Sequence, residues 1–326
     1  MKGVEVCGRT KKLFTLFVEI LRKINVLSLF DGISCGQVAL ERAGIEVANY
    51  YASEIDKHAI SITQKNFPKT IQLGNVTSWR EWDLPKIDLL MAGSPCTYWT
   101  IAKNYRAKQK KETEPMGEGW DLFKHFYDAV NVLKPTYFLF ENNHRISKNI
   151  VNAITEHLGV SPILIDSSTV SAQKRKRLYW TNIPNITQPI DQGIFIKDIY
   201  EYDEQLVKKD IRIFDTAVIT DNYIKYDLSY KGHYSQQDRL YFLDGKAPTV
   251  PKSRTETKVN ILISRKDIST YKKISPVEAE RLQTLPDNYT SGLPKTRRFE
   301  VIGNGWTVDV IVHILSFVKF GGEQYD

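Results

Sequence analysis

Cysteine is scarce in this chain. Cys7, Cys35 and Cys96 are the only three among 326 residues, and none forms a C-x-x-C pair. An odd count at such spacing excludes a disulfide framework and a structural zinc site, and it suits a reducing, cytoplasmic compartment. The six histidines are scattered and supply no H-E-x-x-H or other ligand spacing, so no metal is expected. Long apolar runs are missing too. None reaches the roughly 18 residues of a membrane span. The apolar stretch from Leu13 to Leu21 carries Glu19, which suits an amphipathic helix better than a secretory segment. Nor is there a G-x-G-x-x-G, so the dinucleotide fingerprint is not met.

What is present is an ordinary globular composition, 42% hydrophobic and 25% charged, long enough to bury a sizeable core. Lysine and arginine outnumber acidic residues by 45 to 38, a net charge of +7. That excess favours a polyanionic partner, most simply nucleic acid. Residues 1–24 read as a lead helix with a basic face. Residues 25–184 alternate apolar runs (Val26–Phe30, Val47–Ser53, Ile87–Ala92, Thr136–Phe140, Ile163–Asp166, Leu178–Thr181) with helical patterns near Gln37–Ala43, His58–Asn66, Leu122–Leu133 and Ile146–His157. Such alternation predicts an α/β domain with a mostly parallel, doubly wound sheet. Residues 185–270 change character. They are rich in Tyr, Asp, Lys and Thr, with short β-like runs at Ile211–Ile213, Arg239–Leu243 and Asn260–Ser264, and read as a small irregular β insertion. Residues 271–326 return to the first domain through helices at Pro276–Leu285 and Thr307–Val318.

Chemistry concentrates at the ends of the apolar runs, where open parallel sheets place their ligands. The run Leu27–Phe30 enters a glycine-containing turn, Asp31-Gly32-Ile33, before a helix. Ser53-Glu54 ends the second strand, where a carboxylate can accept hydrogen bonds from ribose hydroxyls. Gly74-Asn75-Val76 ends a further short strand that precedes the Ile87–Ala92 run. Together these three suggest a nucleoside-type cofactor without a phosphate cradle. Gly93-Ser94-Pro95-Cys96 presents a thiol at a strand end, and Glu141 closes another strand on the same edge. In Gln173-Lys174-Arg175-Lys176-Arg177, extended geometry points Gln173, Arg175 and Arg177 one way and both lysines the other. One face can grip a base or carboxylate by planar forks while the other meets phosphates.

Taken in order, these residues resemble the DNA cytosine (carbon 5) methyltransferase family over most of residues 25–318. The wording Leu-Phe-Asp-Gly-Ile and Gly-Ser-Pro-Cys is most similar to the animal de novo enzymes and to bacterial or phage proteins like them. The segments that carry the resemblance are Phe30-Asp-Gly, Ser94-Pro-Cys96, Glu141-Asn142, Gln173-x-Arg175-x-Arg177, Pro276-x-Glu278-x-x-Arg281-Leu-Gln283-x-x-Pro286-Asp and Gly303-Asn304-Gly305-Trp306. It implies a Rossmann-like methyltransferase fold and S-adenosylmethionine as methyl donor. Phe30, Asp31, Gly32, Ile33, Glu54, Ile55, Asn75, Val76, Pro95, Leu122, Asn304, Gly305 and Trp306 would line its pocket. Cys96 would be the nucleophile. Glu141 would hold the ring nitrogen and exocyclic amine, while Arg175 and Arg177 bind the base carbonyl, steady Glu141 and favour the thiolate. Ser94, Asn142 and Gln173 would touch the substrate. The implied partner is double-stranded DNA, with a cognate restriction endonuclease or a phage context. Three departures from the family pattern stand out: Asn75 replaces an aspartate, Asn143 a valine, and Thr97-Tyr98-Trp99-Thr100 the commoner Gln-Gly-Phe-Ser.

The loop from Thr97 to Gly119 carries Lys103, Arg106, Lys108, Lys110 and Lys111, charges suited to closing over DNA. In the insertion, Gln236, Gln237, Arg239, Lys252, Arg254 and Lys258 are candidates for reading sequence. Two other readings stand beside this one: methylation of cytosine in tRNA, and a catalytically silent binding relative, which Asn75 and Asn143 would support. A zinc-dependent deaminase is excluded, because Trp99 stands where its second cysteine is needed and no H-x-E is present.

Overall fold

A computed structural model describes residues 23–99, 111–202, 207–209, 218–225, 239–252 and 259–320. The lead segment 1–22, loop residues 100–110 and the apolar run Ile211–Ile213 lie outside the described residues.

The larger sheet has seven strands: β1 (Ile24–Leu29), β2 (Val47–Ser53), β3 (Ile71–Gln72), β4 (Leu89–Ala92), β5 (Tyr137–Asn143), β6 (Ile163–Asp166) and β7 (Lys176–Thr181). Their spatial order is β3-β2-β1-β4-β5-β7-β6. β1 to β5 pair in parallel, and β7 runs antiparallel to both its neighbours. Period-two alternation buries both faces. In β4, Leu89 and Met91 join one core while Leu90 and Ala92 join the other. The first core is closed by α1 (Cys35–Arg42), α2 (Lys57–Asn66) and α8 (Val308–Leu315); the second by α3 (Glu118–Leu133) and α4 (Lys148–Leu158). Phe123 and Phe126 of α3 are fully buried on this second face, with Phe126 stacked on Phe140 at 5.0 Å. Each such ring stabilises the fold by about 1.5–3 kcal/mol. Local signals set the ends of α4. Ser147 accepts from Ile150 N at its start, and Gly159 adopts φ 66° just past its end.

A second sheet of six strands follows, in the order β8-β13-β12-β11-β10-β9: β8 (Val207–Lys209), β9 (Val218–Ile219), β10 (Tyr223–Lys225), β11 (Arg239–Phe242), β12 (Asn260–Ser264) and β13 (Asp267–Lys273). A third core joins it to the returning helices. Tyr241, Ala247 and Ile261 pack there with Ala279 and Leu282 of α6 (Pro276–Leu282) and with Phe299 and Ile302 of α7 (Lys295–Asn304). The short helix α5 (Ile196–Ile199) feeds the same core. Ser275 and Glu278 form a capping box at α6, with Pro276 in the first turn. Sequence reasoning gave no bounds for β3 and missed α5, α7, β8, β9, β10 and β13. It also let the final helix run to Val318, where α8 stops at Leu315.

Candidate active site

The carboxyl ends of β1, β2, β4 and β5 and the start of β7 surround one cleft of about 1690 Å³, with β11 and the Lys246–Lys252 segment on its far side. Two groups of side chains share it.

At one end lie Phe30, Asp31, Gly32, Glu54, Ile55, Asn75 and Val76. The turn after β1 is tightly bent. Phe30, Gly32 and Ser34 all take positive φ, at 57°, 61° and 57°. Two of the three are not glycine, so the surrounding contacts must hold the turn against its backbone preference. Those contacts are visible. Gly32 N donates to Glu54 Oε2 at 2.8 Å, and Tyr50 OH donates to Asp31 Oδ1 at 2.7 Å. Glu54 Oε1 accepts from Ile55 N and Asp56 N. A carboxylate has about four lone-pair sites, so Glu54 keeps one on Oε2 for a ligand hydroxyl. Asn75 Oδ1 caps the 3-10 helix Val76–Glu81 by accepting from Thr77 N, which leaves its NH2 as the free group. That NH2 can meet an acceptor nitrogen of a purine but not an exocyclic amine. Burial pushes the Asp31 carboxyl up to about 6, against hydrogen bonds from Ser34, Tyr50 and Ser28. An aromatic face, an anchored carboxylate and an amide donor fit an adenosyl group.

At the other end lie Gly93, Ser94, Pro95, Cys96, Glu141, Asn143, Arg175 and Arg177. Cys96 is half-buried at the start of a short 3-10 turn, Cys96–Tyr98. Arg177 Nε meets Glu141 Oε1 at 2.9 Å, with both side chains about nine-tenths buried. The alternation across residues 173–177 is as the extended pattern requires. Gln173, Arg175 and Arg177 are buried, while Lys174 and Lys176 are exposed. Arg175 reaches a different set of atoms. Its Nη2 donates to Gly305 O at 2.9 Å and Gly303 O at 3.3 Å, and burial together with Arg177 brings it down to about 10. Leu122, Asn304, Gly305 and Trp306 line the same cleft.

Several expected contacts are corrected. Ile33 is fully buried in the core below the cleft, where its carbonyl accepts from Tyr289 OH. Asn142 faces inward, donating to Ser94 O and Oγ, and so braces the Ser94-Pro95-Cys96 turn from within. Gln173 is wholly enclosed. Its Nε2 donates to Leu282 O and Gln283 Oε1, and its Oε1 accepts from Val250 N, so it ties the strand to α6. The Cys96 thiol is held above its ordinary value, first by burial and then by the Glu141 charge. Arg177 and Arg175 act in the expected, opposite direction and are outweighed. In the second sheet, Arg239 lies over the Tyr223 ring at 4.7 Å and faces the cleft, as does exposed Lys252. Gln236, Gln237, Arg254 and Lys258 lie outside the described residues, as do Lys103, Arg106, Lys108 and Lys110. Lys111 is described, with its ammonium lowered by burial and raised by Cys96.

Sequence reasoning also missed Gln283 as a site organiser. It is fully buried, donating to Ile302 O and Gly305 O and accepting from Thr307 Oγ1 and Gln173 Nε2. It thus fixes the turn that carries Trp306. Among the described residues, no cluster of three or more histidine, cysteine or acidic side chains could hold a metal ion, and no helix is long and apolar enough to cross a membrane.

The sequence profile of the C-5 cytosine-specific DNA methylases matches residues 24–319. The chain belongs to that family. It is 25% identical over 329 aligned positions to the type II methyltransferase M.HhaI of Haemophilus parahaemolyticus, covering 92% of this chain and 94% of that protein. The orphan methyltransferase M.Rho11sI of Bacillus phage rho11s is 30% identical over 202 positions, which span 58% of this chain but only 36% of the phage protein. Solved structures share the architecture. A DNA modification methyltransferase of an Escherichia coli prophage superposes with TM-score 0.61 at 19% identity, covering 90% of this chain and 98% of that one. The Schizosaccharomyces pombe Dnmt2 methyltransferase superposes at 0.58 and 15% identity, covering 90% and 97%. At such identity the likeness speaks for the Rossmann-like methyltransferase fold.

Proposed function

We propose that this methylase transfers a methyl group to carbon 5 of a flipped-out cytosine in double-stranded DNA, through a transient bond between Cys96 and carbon 6. The observation that carries the reading is convergence. Cys96, the Glu141–Arg177 pair and the Phe30–Glu54–Asn75 group line one cleft at one edge of the sheet.

Carbon 5 of cytosine is too electron-poor to attack a methyl group directly. Thiolate addition at carbon 6 moves the C5–C6 electron pair into the ring and makes carbon 5 nucleophilic. S-adenosylmethionine, when bound, supplies the electrophilic methyl group on its sulfonium. Carbon 5 would form the new C–C bond as the methyl–sulfur bond breaks; water in the cleft would then take the carbon 5 proton, which restores the C5–C6 double bond and expels Cys96 as thiolate. Glu141 would deliver a proton to ring nitrogen 3 as charge develops there and accept from the exocyclic amine, with Arg177 holding the side chain in position. Arg175 serves chiefly by fixing the Gly303–Gly305 turn. Because the free thiol is held high, ionisation of Cys96 must be completed by what enters the cleft. Flipping costs a few kcal/mol, which the basic loop and the second sheet would repay through phosphate contacts. The type II and phage relatives support a setting in restriction–modification, with a cognate endonuclease, or alone in a phage.

Labelled methyl transfer to duplex DNA tests the reading. Wild type should label carbon 5, and Cys96→Ala should fall by at least roughly a thousand-fold. Duplexes containing 5-fluorocytosine should trap the wild type covalently. Equal transfer by both proteins would remove Cys96 from the chemistry; labelling of tRNA but not duplex DNA would move the substrate to RNA.

A further inference from the structure

Trp306 was expected only as a wall of the cofactor pocket. Its indole does something else as well. Trp306 Nε1 donates to Glu141 Oε2 at 3.0 Å, while Arg177 Nε meets Glu141 Oε1 at 2.9 Å. Both oxygens of the carboxylate therefore face a donor that has no acceptor capacity of its own. The packing around this contact leaves little play. A Cβ on Gly93 would sit 2.8 Å from Trp306 Nε1 and 3.2 Å from Glu141 Oε2, so the absence of a side chain at Gly93 is what lets the two groups meet. Behind the indole, the Gly305 carbonyl is held by Arg175 and Gln283 at once. Trp306 also lines the cleft between the Phe30–Glu54 end and the Cys96 end.

We infer that Trp306 is a positioning residue for Glu141, fixing the orientation of its carboxylate from the cofactor side of the cleft. The inference rests on the reading of the site given above. A carboxylate gripped by Arg177 alone can still turn about its terminal torsion, which is broad for glutamate. A second donor on the other oxygen removes that freedom before the base arrives, and such preorganisation counts most where charge develops. Each carboxylate oxygen has two lone-pair sites, so Oε2 keeps one for the base while Trp306 occupies the other.

Trp306→Phe tests this, since it keeps an aromatic ring and removes the donor. Affinities for S-adenosylhomocysteine, by calorimetry, and for duplex DNA should stay within about two-fold of wild type. The single-turnover rate of methyl transfer should fall roughly ten- to a hundred-fold, the scale of one hydrogen bond to a charged group. In a spectrum of 15N-labelled tryptophan, the indole N–H signal lost in Trp306→Phe should move when Glu141→Gln is introduced alone. An unchanged single-turnover rate, an unmoved signal, or a rate loss accounted for by lost cofactor affinity would each overturn the inference. No transfer by the wild type would remove the reading of the site itself, and this inference with it. An active wild type with an equally fast Trp306→Phe removes the inference alone.

Discussion

Along the edge of the seven-stranded sheet, charged side chains are buried and engaged with one another. Glu141 is gripped by Arg177 and Trp306, and Arg175 is spent on three backbone carbonyls. Across the cleft, the second sheet offers a guanidinium stacked on Tyr223 and the exposed ammonium of Lys252. The first edge is rigid before any partner arrives; the second holds charge ready for one. Chemistry needs the former, because reorientation during reaction costs rate. Recognition of an irregular polyanion tolerates the latter, because phosphate contacts give affinity without demanding a single geometry.

Three substitutions or titrations would break or sharpen that contrast. The largest effect is expected from Arg177→Ala. It strips the ion partner from a nearly buried carboxylate, which should cost about 3–5 kcal/mol in urea unfolding and on the order of a hundred-fold or more in single-turnover methyl transfer. Retained stability with retained rate would show that the edge is not preorganised. Arg239→Ala should behave oppositely. Unfolding should stay within about 0.5 kcal/mol of wild type. DNA affinity should weaken roughly ten-fold, with a shallower salt dependence. If Arg239→Ala destabilised the fold as Arg177→Ala does, the two edges would not differ in kind. The smallest effect is a matter of pH. The Cys96 thiol in the free protein is raised from its usual value near 9. Only the thiolate reacts, so alkylation of Cys96 by iodoacetamide, followed by peptide mass spectrometry, should be slow at pH 7. It should climb about ten-fold per pH unit to beyond pH 9, where an unperturbed thiol would level off. A plateau below pH 9 would mean that the arginines outweigh burial and Glu141.

Much of the larger sheet was legible because its strands are short apolar runs between turn residues. Val47–Ser53 and Ile163–Asp166 match their sequence bounds. Of the elements that escaped, β3, β8, β9, β10 and α5 span only two to four residues, and the two longer ones hide charge inside. β13 carries Lys272, fully buried against Glu278 of α6, so its core face does not read as apolar. In α7, buried Glu300 pairs with Arg297 and interrupts the apolar stripe of Phe299, Val301 and Ile302. Tertiary ion pairs thus overrode the hydropathy pattern that a sequence exposes. The site shows the same division. Cys96, Glu141 and Arg177 could be placed on one edge because each stands at a strand end. The Trp306–Glu141 contact joins residues 165 positions apart, and no local pattern announces it. The resemblance implied Asn142 and Gln173 as substrate contacts; here the backbones of Ser94 and Val250 claim them first.

The approach to β7 carries information that composition does not. Gln173, Arg175 and Arg177 enter the interior at every second position, and Lys174 and Lys176 stay outside. Slipping this stretch by a single position, with no change in its residues, would exchange arginine forks for lysine point charges along the inner face. The chain's total charge would be untouched, yet Glu141 would lose its planar partner and the Gly303–Gly305 turn its anchor. Variation in the length of this segment is therefore expected in even steps only, as though the sequence were read there two letters at a time.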